Sequence, residues 1–460
     1  MKADLKITLT EEQNEALDKA FKWYELANKT RRKFEKLTPV SPQDIVDIRI
    51  QASNTFRLFG YAGTGKTTLI NKFYRRIQKD GYIVAFVSYT GKAAMVLRQH
   101  GLPAQTIHSL LYTPKGIDRA KYKEFHKKFK TATTDKERAK WSRELRKILR
   151  PSFRKKDPED FDNLDLIIID ECSMVDNEIL ADLESTEVPL LAVGDNGQLP
   201  PITQIQKTKV GGKVITIPRL ISGRPDILLK EIHRQAKDNP IIEAATRTRN
   251  GLPLPFTYSG RVQRQPMHMM NVGKLNDYDQ VLTGKNLTRR QYNLILREKQ
   301  LKPNSRYPLE KDKLICLQND IIPLPQEDED GEPEQLRVYN GMFATVTKVK
   351  SIGTTTISLE VVFPDYHETP IDIEILTHYF DMYEDEKLMR MSSPMIEHNL
   401  RQNFLHFDFG YVITVHKSQG SQWDSVALID DRFLTWDRKA RRKWLYTAIT
   451  RASEELLIVA

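Results

Sequence analysis

Thr55-Phe-Arg-Leu-Phe-Gly60-Tyr-Ala-Gly-Thr-Gly-Lys-Thr67 joins a short apolar run to a glycine-rich loop, and a helical pattern of apolar residues follows directly. This order of strand, loop and helix is the context in which a G-x-x-x-x-G-K-T motif binds phosphate. The glycines let backbone N–H groups curl around phosphate oxygens, and the helix N-terminus adds partial positive charge. The alternative is a glycine-rich turn that only joins strand to helix. The stretch predicts an α/β fold with a nucleotide site formed by Gly60, Ala62, Gly63, Thr64, Gly65, Lys66, Thr67 and Thr68.

An acidic pair ends a second apolar run, Leu166-Ile-Ile-Ile-Asp170-Glu171. Four apolar residues in a row are typical of a parallel strand buried on both faces, and ligands bind at the carboxyl ends of such strands. We expect Lys66 to reach the β- and γ-phosphates of ATP, while the Thr67 hydroxyl and Asp170 hold Mg²⁺. Glu171 would orient or deprotonate the attacking water. An acidic turn that caps the next helix is the simpler alternative.

A third apolar run, residues 189–193, leads into Gly194-Asp-Asn-Gly-Gln198-Leu-Pro-Pro201. Gln198 would therefore lie beside the γ-phosphate, at the end of a neighbouring strand. A neutral amide can hydrogen-bond phosphate or water without a fixed charge, which suits a group that senses the nucleotide state. The alternative is a Gly/Asn turn closed by two prolines. Such a turn would account for the backbone of these eight residues but not for their whole sequence.

Composition excludes several classes of protein. With 460 residues, 40% hydrophobic and 29% charged, the chain fits a globular protein of two to four domains. No apolar run approaches a membrane span, and the N-terminus has no signal-peptide core. The two cysteines, Cys172 and Cys316, form no CxxC motif, which argues against a disulfide framework or zinc site. We expect a cytoplasmic location, in a bacterial cell or a phage-infected host.

The net charge of +10 is concentrated in one segment. Residues 115–156 contain 17 Lys/Arg and 5 Asp/Glu, so the rest of the chain is slightly acidic. Apolar residues recur there at helical spacing on two stripes, Tyr122/Phe125/Phe129 and Trp141/Leu145/Ile148/Leu149, which predicts a helical hairpin. A polyanion would bind the protein at this hairpin. The alternative is a solvated basic hairpin that never contacts nucleic acid.

Eight motifs occur in a fixed order: GYAGTGKTT (60–68), SYTGKAA (88–94), TIHSLL (106–111), DECSMVD (170–176), GDNGQLPP (194–201), EIHRQ (231–235), VITVHKSQGSQW (412–423) and YTAITRA (446–452). The ordered set resembles superfamily 1B DNA helicases of the RecD/Dda type. The resemblance covers most of the chain. It departs from the family at Gln422, where members often carry Glu, so any ribose contact there is in doubt.

The resemblance implies two RecA-like domains with parallel sheets that close on Mg²⁺-ATP. Domain 1A would hold residues 1–112 and 157–212, and the basic helical insert 1B residues 113–156. Domain 2A would hold residues 213–305 and 400–460. A β-rich insert 2B, residues 306–399, would form an SH3-like barrel, since short β-prone runs alternate there with turns.

The resemblance also assigns roles at the nucleotide. Arg234 and Arg451 would approach the γ-phosphate, and a finger arginine is worth about 10³–10⁵ in rate. Gln419 and Gly420 would lie in the nucleotide site. Gln13 would contact adenine, although Thr10 and Gln13 also have the spacing of a capping box. Both interpretations of Gln13 stay open.

The implied partners are single-stranded DNA, junctions of single- and double-stranded DNA, and replication or recombination proteins, with the chain working as a monomer and moving 5′-to-3′. Hydroxyl, imidazole and amine donors at strand ends suit contacts to phosphate. The expected DNA contacts are Thr90, Lys92, Thr106, His108, Thr414, His416 and Ser418. The rivals are an RNA helicase of the same superfamily, a translocase that displaces proteins without unwinding, and a non-enzymatic nucleic-acid clamp.

Overall fold

The computed structural model describes residues 9–36, 54–114, 119–149, 153–200, 206–207, 213–214, 218–231, 239–257, 259–327, 333–364, 367–391, 393–431 and 438–460. Two compact units divide the chain. The first unit comprises Met1–Thr113, Lys155–Pro253 and Asp437–Thr450, and the second unit comprises Pro114–Arg154, Leu254–Trp436 and Arg451–Ala460. Within the described ranges, no helix has the length and apolar character needed to cross a membrane.

A six-stranded parallel sheet forms the centre of the first unit. From edge to edge its strands are Ile227–Leu229, Thr55–Gly60, Leu190–Gly194, Leu166–Asp170, Val84–Ser88 and Ala104–Thr106. Alternate residues of the central strands enter two separate apolar cores, with Ile168 in one and Ile167 and Ile169 in the other. Both faces of the sheet are therefore covered, which explains the uninterrupted apolar runs in the sequence.

The first unit also contains helices. In chain order they are Glu11–Lys36, Lys66–Lys79, Gly91–Gln99, Ile107–Leu111, Asn177–Glu184, Arg219–Ser222, Pro240–Arg249 and Arg438–Ile449. Short 3₁₀ turns span Pro158–Phe161 and Cys172–Met174, and two-residue strands span Gln206–Lys207 and Lys213–Val214. The strands Tyr112–Pro114 and Phe153–Lys155 stand at the two points where the chain passes into and out of the basic segment.

The second unit contains a second parallel sheet, in the order Val262–Gln265, Ala452–Val459, Trp423–Ile429, Gln280–Thr283 and Val412–Thr414. The helix Asn286–Leu301 packs on this sheet. The 3₁₀ turns Met267–Met269 and Val272–Asp277 and the helices His378–Asp381, Glu386–Arg390 and His398–Asn403 complete the connections. Two parallel sheets with helices confirm the predicted α/β class with two RecA-like domains.

An antiparallel sheet makes up the β-rich part of the second unit. Its strands run in the order His367–Leu376, Thr356–Phe363, Phe343–Ile352, Lys313–Cys316 and Phe407–Phe409. A separate hairpin pairs Asp320–Glu327 with Pro333–Val338. The predicted β-prone runs are strands, whereas the SH3-like barrel is not confirmed. The four-domain division also stays a prediction.

The predicted basic hairpin consists of the helices Arg119–Thr131 and Asp135–Leu149. Tyr122, Phe129 and Leu145 form its small apolar core. Buried polar contacts fasten it to the strand Asp320–Glu327, because Arg146 forms an ion pair with Asp320 and also donates to the Asn403 carbonyl at 2.9 Å. The hairpin is thus part of the second unit, held by specific bonds as well as by packing.

Both cysteine thiols are free and buried, Cys172 in the first unit and Cys316 in the second. Burial raises the pKa of Cys316 to about 12 and raises that of Cys172 well above its usual value. A Cβ atom added at Gly194 would lie 2.7 Å from the Cys172 sulfur, so glycine is required there by close approach. Both thiols are therefore protonated at neutral pH.

Candidate nucleotide and nucleic-acid site

Five neighbouring strands of the first sheet end at one edge, and each end carries a predicted functional motif. The P-loop (residues 60–67) follows Thr55–Gly60, the acidic pair ends Leu166–Asp170, and the sensor loop (residues 194–199) follows Leu190–Gly194. Thr90 and Thr106 stand at or just beyond the ends of the next two strands. Because the strands are parallel, their carboxyl ends meet at the same edge, where ligands of such sheets bind.

The P-loop is curled by its glycines. Gly63 and Gly65 have φ angles of 78° and 72°, in the left-handed region that glycine adopts without strain. A Cβ at Gly60 would lie 2.6 Å from the Thr64 hydroxyl, so the loop closes tightly on itself. The Lys66 ammonium donates to the Gly60 and Tyr61 carbonyls at 2.8 and 3.2 Å. The predicted phosphate-binding lysine therefore lies inside the curve of the loop.

Gln13 contacts this loop directly. Its Nε2 donates to the Thr64 carbonyl at 2.9 Å, while its Oε1 accepts from the Thr10 N–H at 3.0 Å. The Gln13 N–H donates to the Thr10 hydroxyl at 3.2 Å, which completes the predicted capping box. The neighbouring Glu12 carboxylate accepts from the N–H groups of Lys230 and Glu231. The first helix is thus bonded to the P-loop and to the end of the strand Ile227–Leu229.

The acidic pair has an unusual electrostatic environment. Burial raises the pKa of Asp170 to about 7, and the adjacent Glu171 charge adds to the effect while Lys66 opposes it. Glu171 has a φ of 51°, a left-handed conformation that is uncommon for a residue with a side chain. Carboxylate and hydroxyl oxygens are the donors that Mg²⁺ prefers. Asp170 and Thr67 fit such an ion by their chemistry, and a bound cation would favour the ionised carboxylate.

The sensor loop is almost entirely buried, and its backbone is well bonded. Asp195 and Gln198 are 1% and 6% exposed, and the Gln198 N–H donates to the Asp195 carbonyl at 3.2 Å. The Gln198 Oε1 atom has no hydrogen-bond partner within the described part of the chain. An acceptor that is buried and unsatisfied is suited to receive a bond from a water or another mobile donor.

The helix Arg438–Ile449 leads into the YTAITRA motif (446–452) and is called the motif VI helix below. It makes contacts that were not predicted from the sequence. Tyr446, Thr447 and Lys443 hydrogen-bond Asp195, Leu199 and Asn196 of the sensor loop. Tyr446 also accepts from the Ala62 N–H of the P-loop at 2.9 Å. Helical spacing places positions 443, 446 and 447 on one face, so a polar face was visible in the sequence. Its partner, about 250 positions away, was not.

The two predicted finger arginines remain predictions. Arg451 is 5% exposed, and its guanidinium donates to the Ser421 carbonyl at 2.9 Å within the second unit. The Arg451 carbonyl accepts from the Trp423 N–H at 2.9 Å. Arg234 lies outside the described residues, as do Pro201 and much of the acidic loop at 327–334.

The predicted DNA contacts of the first unit lie at helix starts. Thr90 and Thr106 are N-cap residues whose hydroxyls accept from the N–H groups of Ala93 and Ser109 at 3.2 and 3.1 Å. Lys92 lies in the first turn of the helix Gly91–Gln99. The exposed His108 ring stacks on Tyr112 with the ring centroids 5.6 Å apart. A capping hydroxyl keeps its own hydrogen for a donated bond, which Thr90 could give to a phosphate. The Thr106 hydroxyl also shares a hydrogen bond of 2.8 Å with the Ser109 hydroxyl.

The predicted contacts of the second unit lie on the turn after Val412–Thr414. The Ser418 hydroxyl is fully buried and donates to the Val415 carbonyl at 2.8 Å, so its hydrogen is used inside the protein. Burial lowers the pKa of His416, which favours a neutral imidazole. Thr414 accepts from the Lys417 N–H, and Gly420 has a φ of 74°. Gln419 is 9% exposed. The roles of these residues in binding stay predictions.

A P-loop, an acidic strand end and a sensor loop on one parallel sheet, with a second parallel sheet elsewhere, define a P-loop NTPase of the RecA-like class. Two family models match the chain. A model described as an AAA domain matches residues 47–263, and one described as a UvrD-like helicase C-terminal domain matches residues 409–459. Both matches agree with the superfamily 1B helicases of the RecD/Dda type that the ordered motifs resemble.

Two relatives are similar in sequence to the chain. An uncharacterized protein of Acanthamoeba polyphaga mimivirus is 23% identical over 500 residues, which cover 87% of this chain and 94% of the relative. The ATP-dependent RecD2 DNA helicase of Deinococcus radiodurans is 29% identical over 193 residues, or 41% of this chain and 21% of that protein.

Two solved structures are similar over most of their length. Bacteroides Pif1 bound to ssDNA has a TM-score of 0.47 and 17% identity, covering 99% of this chain and 93% of that chain. Pif1 helicase from Candida albicans has a TM-score of 0.44 and 16% identity, covering 98% and 94%.

Proposed function

We propose that the chain is an ATP-dependent DNA helicase that travels 5′-to-3′ on single-stranded DNA and unwinds duplex at junctions. The observation that carries this proposal is the single sheet edge at which the P-loop, Asp170, Glu171, Gln198 and the capping threonines come together. The NTPase site and the side chains that would donate hydrogen bonds to DNA phosphates lie at adjacent strand ends. A change in the bound nucleotide could therefore change how tightly DNA is bound. The travel direction is taken from the family resemblance.

At the nucleotide, Lys66 and the loop amides would bind the phosphates, and Glu171 would orient the attacking water. Mg²⁺ would be held by Thr67 and Asp170 and would neutralise charge on the phosphates. Because Asp170 is buried beside Glu171, an uncompensated second negative charge there is unfavourable. Gln198 would report the nucleotide state, and Arg451 would serve as the finger arginine of the family. The residues that would bind nucleotide include Gln13, Gln419 and Gly420.

On DNA, Thr90, Lys92, Thr106 and His108 would contact the strand from the first unit. Thr414 and His416 stay predicted DNA contacts, taken from the family resemblance, whereas the buried Ser418 hydroxyl already donates to the Val415 carbonyl. Several such phosphate contacts give strong, salt-sensitive and sequence-independent binding. The basic hairpin, Arg119–Thr131 with Asp135–Leu149, would part the duplex, at a cost of about 1.4 kcal/mol per stacked step.

Unwinding of tailed duplexes tests this proposal most directly. A duplex with a 5′ single-stranded tail should be separated in the presence of Mg²⁺ and ATP, and a duplex with only a 3′ tail should not. Separation of the 3′-tailed duplex alone would refute the direction. Competition between ssDNA and ssRNA for stimulation of the ATPase distinguishes an RNA helicase of the same superfamily.

A Lys66→Ala variant tests whether the P-loop is the catalytic ATP site. It should lose DNA-stimulated ATPase activity, because the phosphates lose their cation, while binding of ssDNA stays close to wild type. Wild-type turnover in this variant would show that the P-loop is not the catalytic nucleotide site. Robust ATPase without strand separation would instead favour a translocase that displaces bound proteins.

A further inference from the structure

The Tyr446 hydroxyl joins the P-loop to the sensor loop. It accepts a hydrogen bond from the Ala62 N–H at 2.9 Å and donates one to the Asp195 carboxylate at 2.5 Å. The other Asp195 oxygen accepts from the Gly197 N–H at 2.8 Å. A continuous chain of hydrogen bonds therefore runs from the P-loop, through one phenol, to the residue that precedes Gln198.

Burial and close packing fix the position of this phenol. Tyr446 and Asp195 are each 1% exposed. A Cβ at Gly197 would lie 3.0 Å from a ring carbon of Tyr446, so the ring occupies the space that a side chain would need. Burial and the Asp195 charge raise the pKa of Tyr446 well above its usual value, so the hydroxyl keeps the proton that it donates.

The same helix face holds the sensor loop on both sides of Gln198. The Lys443 ammonium donates to the Asn196 carbonyl at 2.9 Å, and the Thr447 hydroxyl accepts from the Leu199 N–H at 2.9 Å. These bonds fix the backbone of Gln198 but do not involve the oxygen of its side chain. The Tyr446 hydroxyl, in addition, bonds the P-loop through the Ala62 N–H.

We propose that Tyr446 is a positioning residue for ATP hydrolysis, which sets the distance between the phosphate-binding loop and Gln198 through its hydroxyl. The inference rests on the proposed function, because it assumes that the P-loop binds ATP and that Gln198 acts at the γ-phosphate. The P-loop has other supports, since Thr64 donates to the Tyr61 carbonyl at 2.8 Å and Gln13 donates to Thr64. Loss of the phenol hydroxyl should therefore affect turnover more than ATP binding.

The test compares Tyr446→Phe with Tyr383→Phe. Tyr383 is a matched control, because it is also a buried tyrosine whose hydroxyl donates to a buried aspartate, Asp408, at 2.7 Å, but it lies in the second unit. We measure kcat and KM for ATP at saturating ssDNA. Tyr446→Phe should lower kcat by about tenfold or more, with KM for ATP changed by less than about threefold. Tyr383→Phe should retain the wild-type kcat.

A double variant makes the test sharper. If Tyr446 acts through Asp195, adding Tyr446→Phe to Asp195→Asn should slow turnover little beyond the slower single variant. Multiplied effects would overturn the inference, as would wild-type kcat in Tyr446→Phe or equal losses in Tyr446→Phe and Tyr383→Phe. Wild-type protein without any ssDNA-stimulated ATPase would refute the proposed function itself, and the inference with it.

Discussion

Gln13 is held inside the protein at both ends of its side-chain amide, by Thr10 and by Thr64 of the P-loop. The capping-box interpretation is confirmed, and the contact with adenine stays a prediction. The bond to Thr64 supports the P-loop whichever base is bound. Its loss should therefore weaken the binding of any nucleoside triphosphate.

We predict that Gln13→Ala raises KM for ATP and for GTP by the same factor, about fivefold, the effect of about one hydrogen bond. DNA-stimulated hydrolysis of each nucleotide gives both constants. Asn14→Ala is the control, since this exposed side chain makes only a long bond of 3.5 Å to the Leu9 carbonyl. A rise confined to ATP would instead assign Gln13 to adenine.

Lys417 is a partly buried cation, and its ammonium donates to the side-chain oxygen of Asn340. Burial lowers the pKa of Lys417 from 10.5 to about 8. Below pH 8 the lysine is charged in both states, and the folded protein carries the full cost of the buried charge. Between pH 8 and 10.5 the unfolded chain holds more protons, so this cost falls as pH rises.

Lys417→Met should therefore raise the melting temperature at pH 7 by about 2–4 °C, the effect of ~1 kcal/mol, and much less at pH 10. Thermal melts at the two pH values measure the difference. Lys348→Met, at an exposed strand position, should show no such dependence on pH. Equal gains for Lys417→Met at both values would contradict the argument.

Single residues show where sequence interpretation ends. Lys66, Asp170 and Gln198 could be placed because each follows a recognisable buried strand, and the parallel sheet brings strand ends together. The bond between Asp195 and Tyr446 joins residues 251 positions apart. No local pattern encodes such a pair, because its geometry is set by how a helix packs against a loop.

At the scale of elements, a buried ion pair is one of the bonds that attach the basic hairpin to the rest of the second unit. Arg146 and Asp320 are 4% and 2% exposed, and His126 adds a bond of 3.1 Å to the Leu324 carbonyl. Removing one member of a buried pair leaves an uncompensated charge. The hairpin should therefore be sensitive to a change outside its own sequence.

We predict that Asp320→Ala destabilises the protein by about 3–5 kcal/mol and speeds amide hydrogen exchange across residues 119–149. Urea denaturation and exchange measured by mass spectrometry give the two quantities. Glu184→Ala removes the exposed pair with Arg219, and its unfolding midpoint should match wild type. Unchanged exchange in Asp320→Ala would show that the hairpin is held without this ion pair.

The positions of strands were easier to predict than the strands with which they pair. The β-prone runs between residues 313 and 363 are strands, because alternation and turn residues are local signals. Phe407–Phe409 joins the same sheet beside Lys313–Cys316, with Leu314 opposite Phe409. This pairing crosses more than 90 positions, and the aromatic run alone does not reveal it.

At the scale of the whole molecule, the uneven charge should control the salt dependence of binding. Each phosphate neutralised on single-stranded DNA contributes about −0.7 to the slope of log K against log salt. Lys123, Lys127 and Lys136 are exposed on the basic hairpin. If all three contact phosphate, their replacement by alanine should reduce the slope by about 2.

Fluorescence anisotropy of a labelled oligonucleotide over a salt series measures this slope. A matched variant removes the same charge elsewhere, with alanine at the exposed Lys79, Lys299 and Lys348. The matched variant should keep the wild-type slope. Equal slopes for the two triple variants would show that the hairpin binds DNA no better than the rest of the surface.

The two-sheet architecture could be predicted from the ordered motifs, because each motif combines a buried strand with a chemically specific loop. The attachment of the motif VI helix to the sensor loop could not, since side chains on distant segments define it.

The two buried thiols have a practical consequence for labelling this protein with a fluorophore. Thiolate is the form that reacts with maleimides, and the raised pKa values of Cys172 and Cys316 keep it scarce near pH 7. A Thr133→Cys variant, at the exposed turn between the hairpin helices, should accept one dye while both native cysteines stay in place. Mass spectrometry should find a single adduct, and the fluorophore would then report fork engagement in real time.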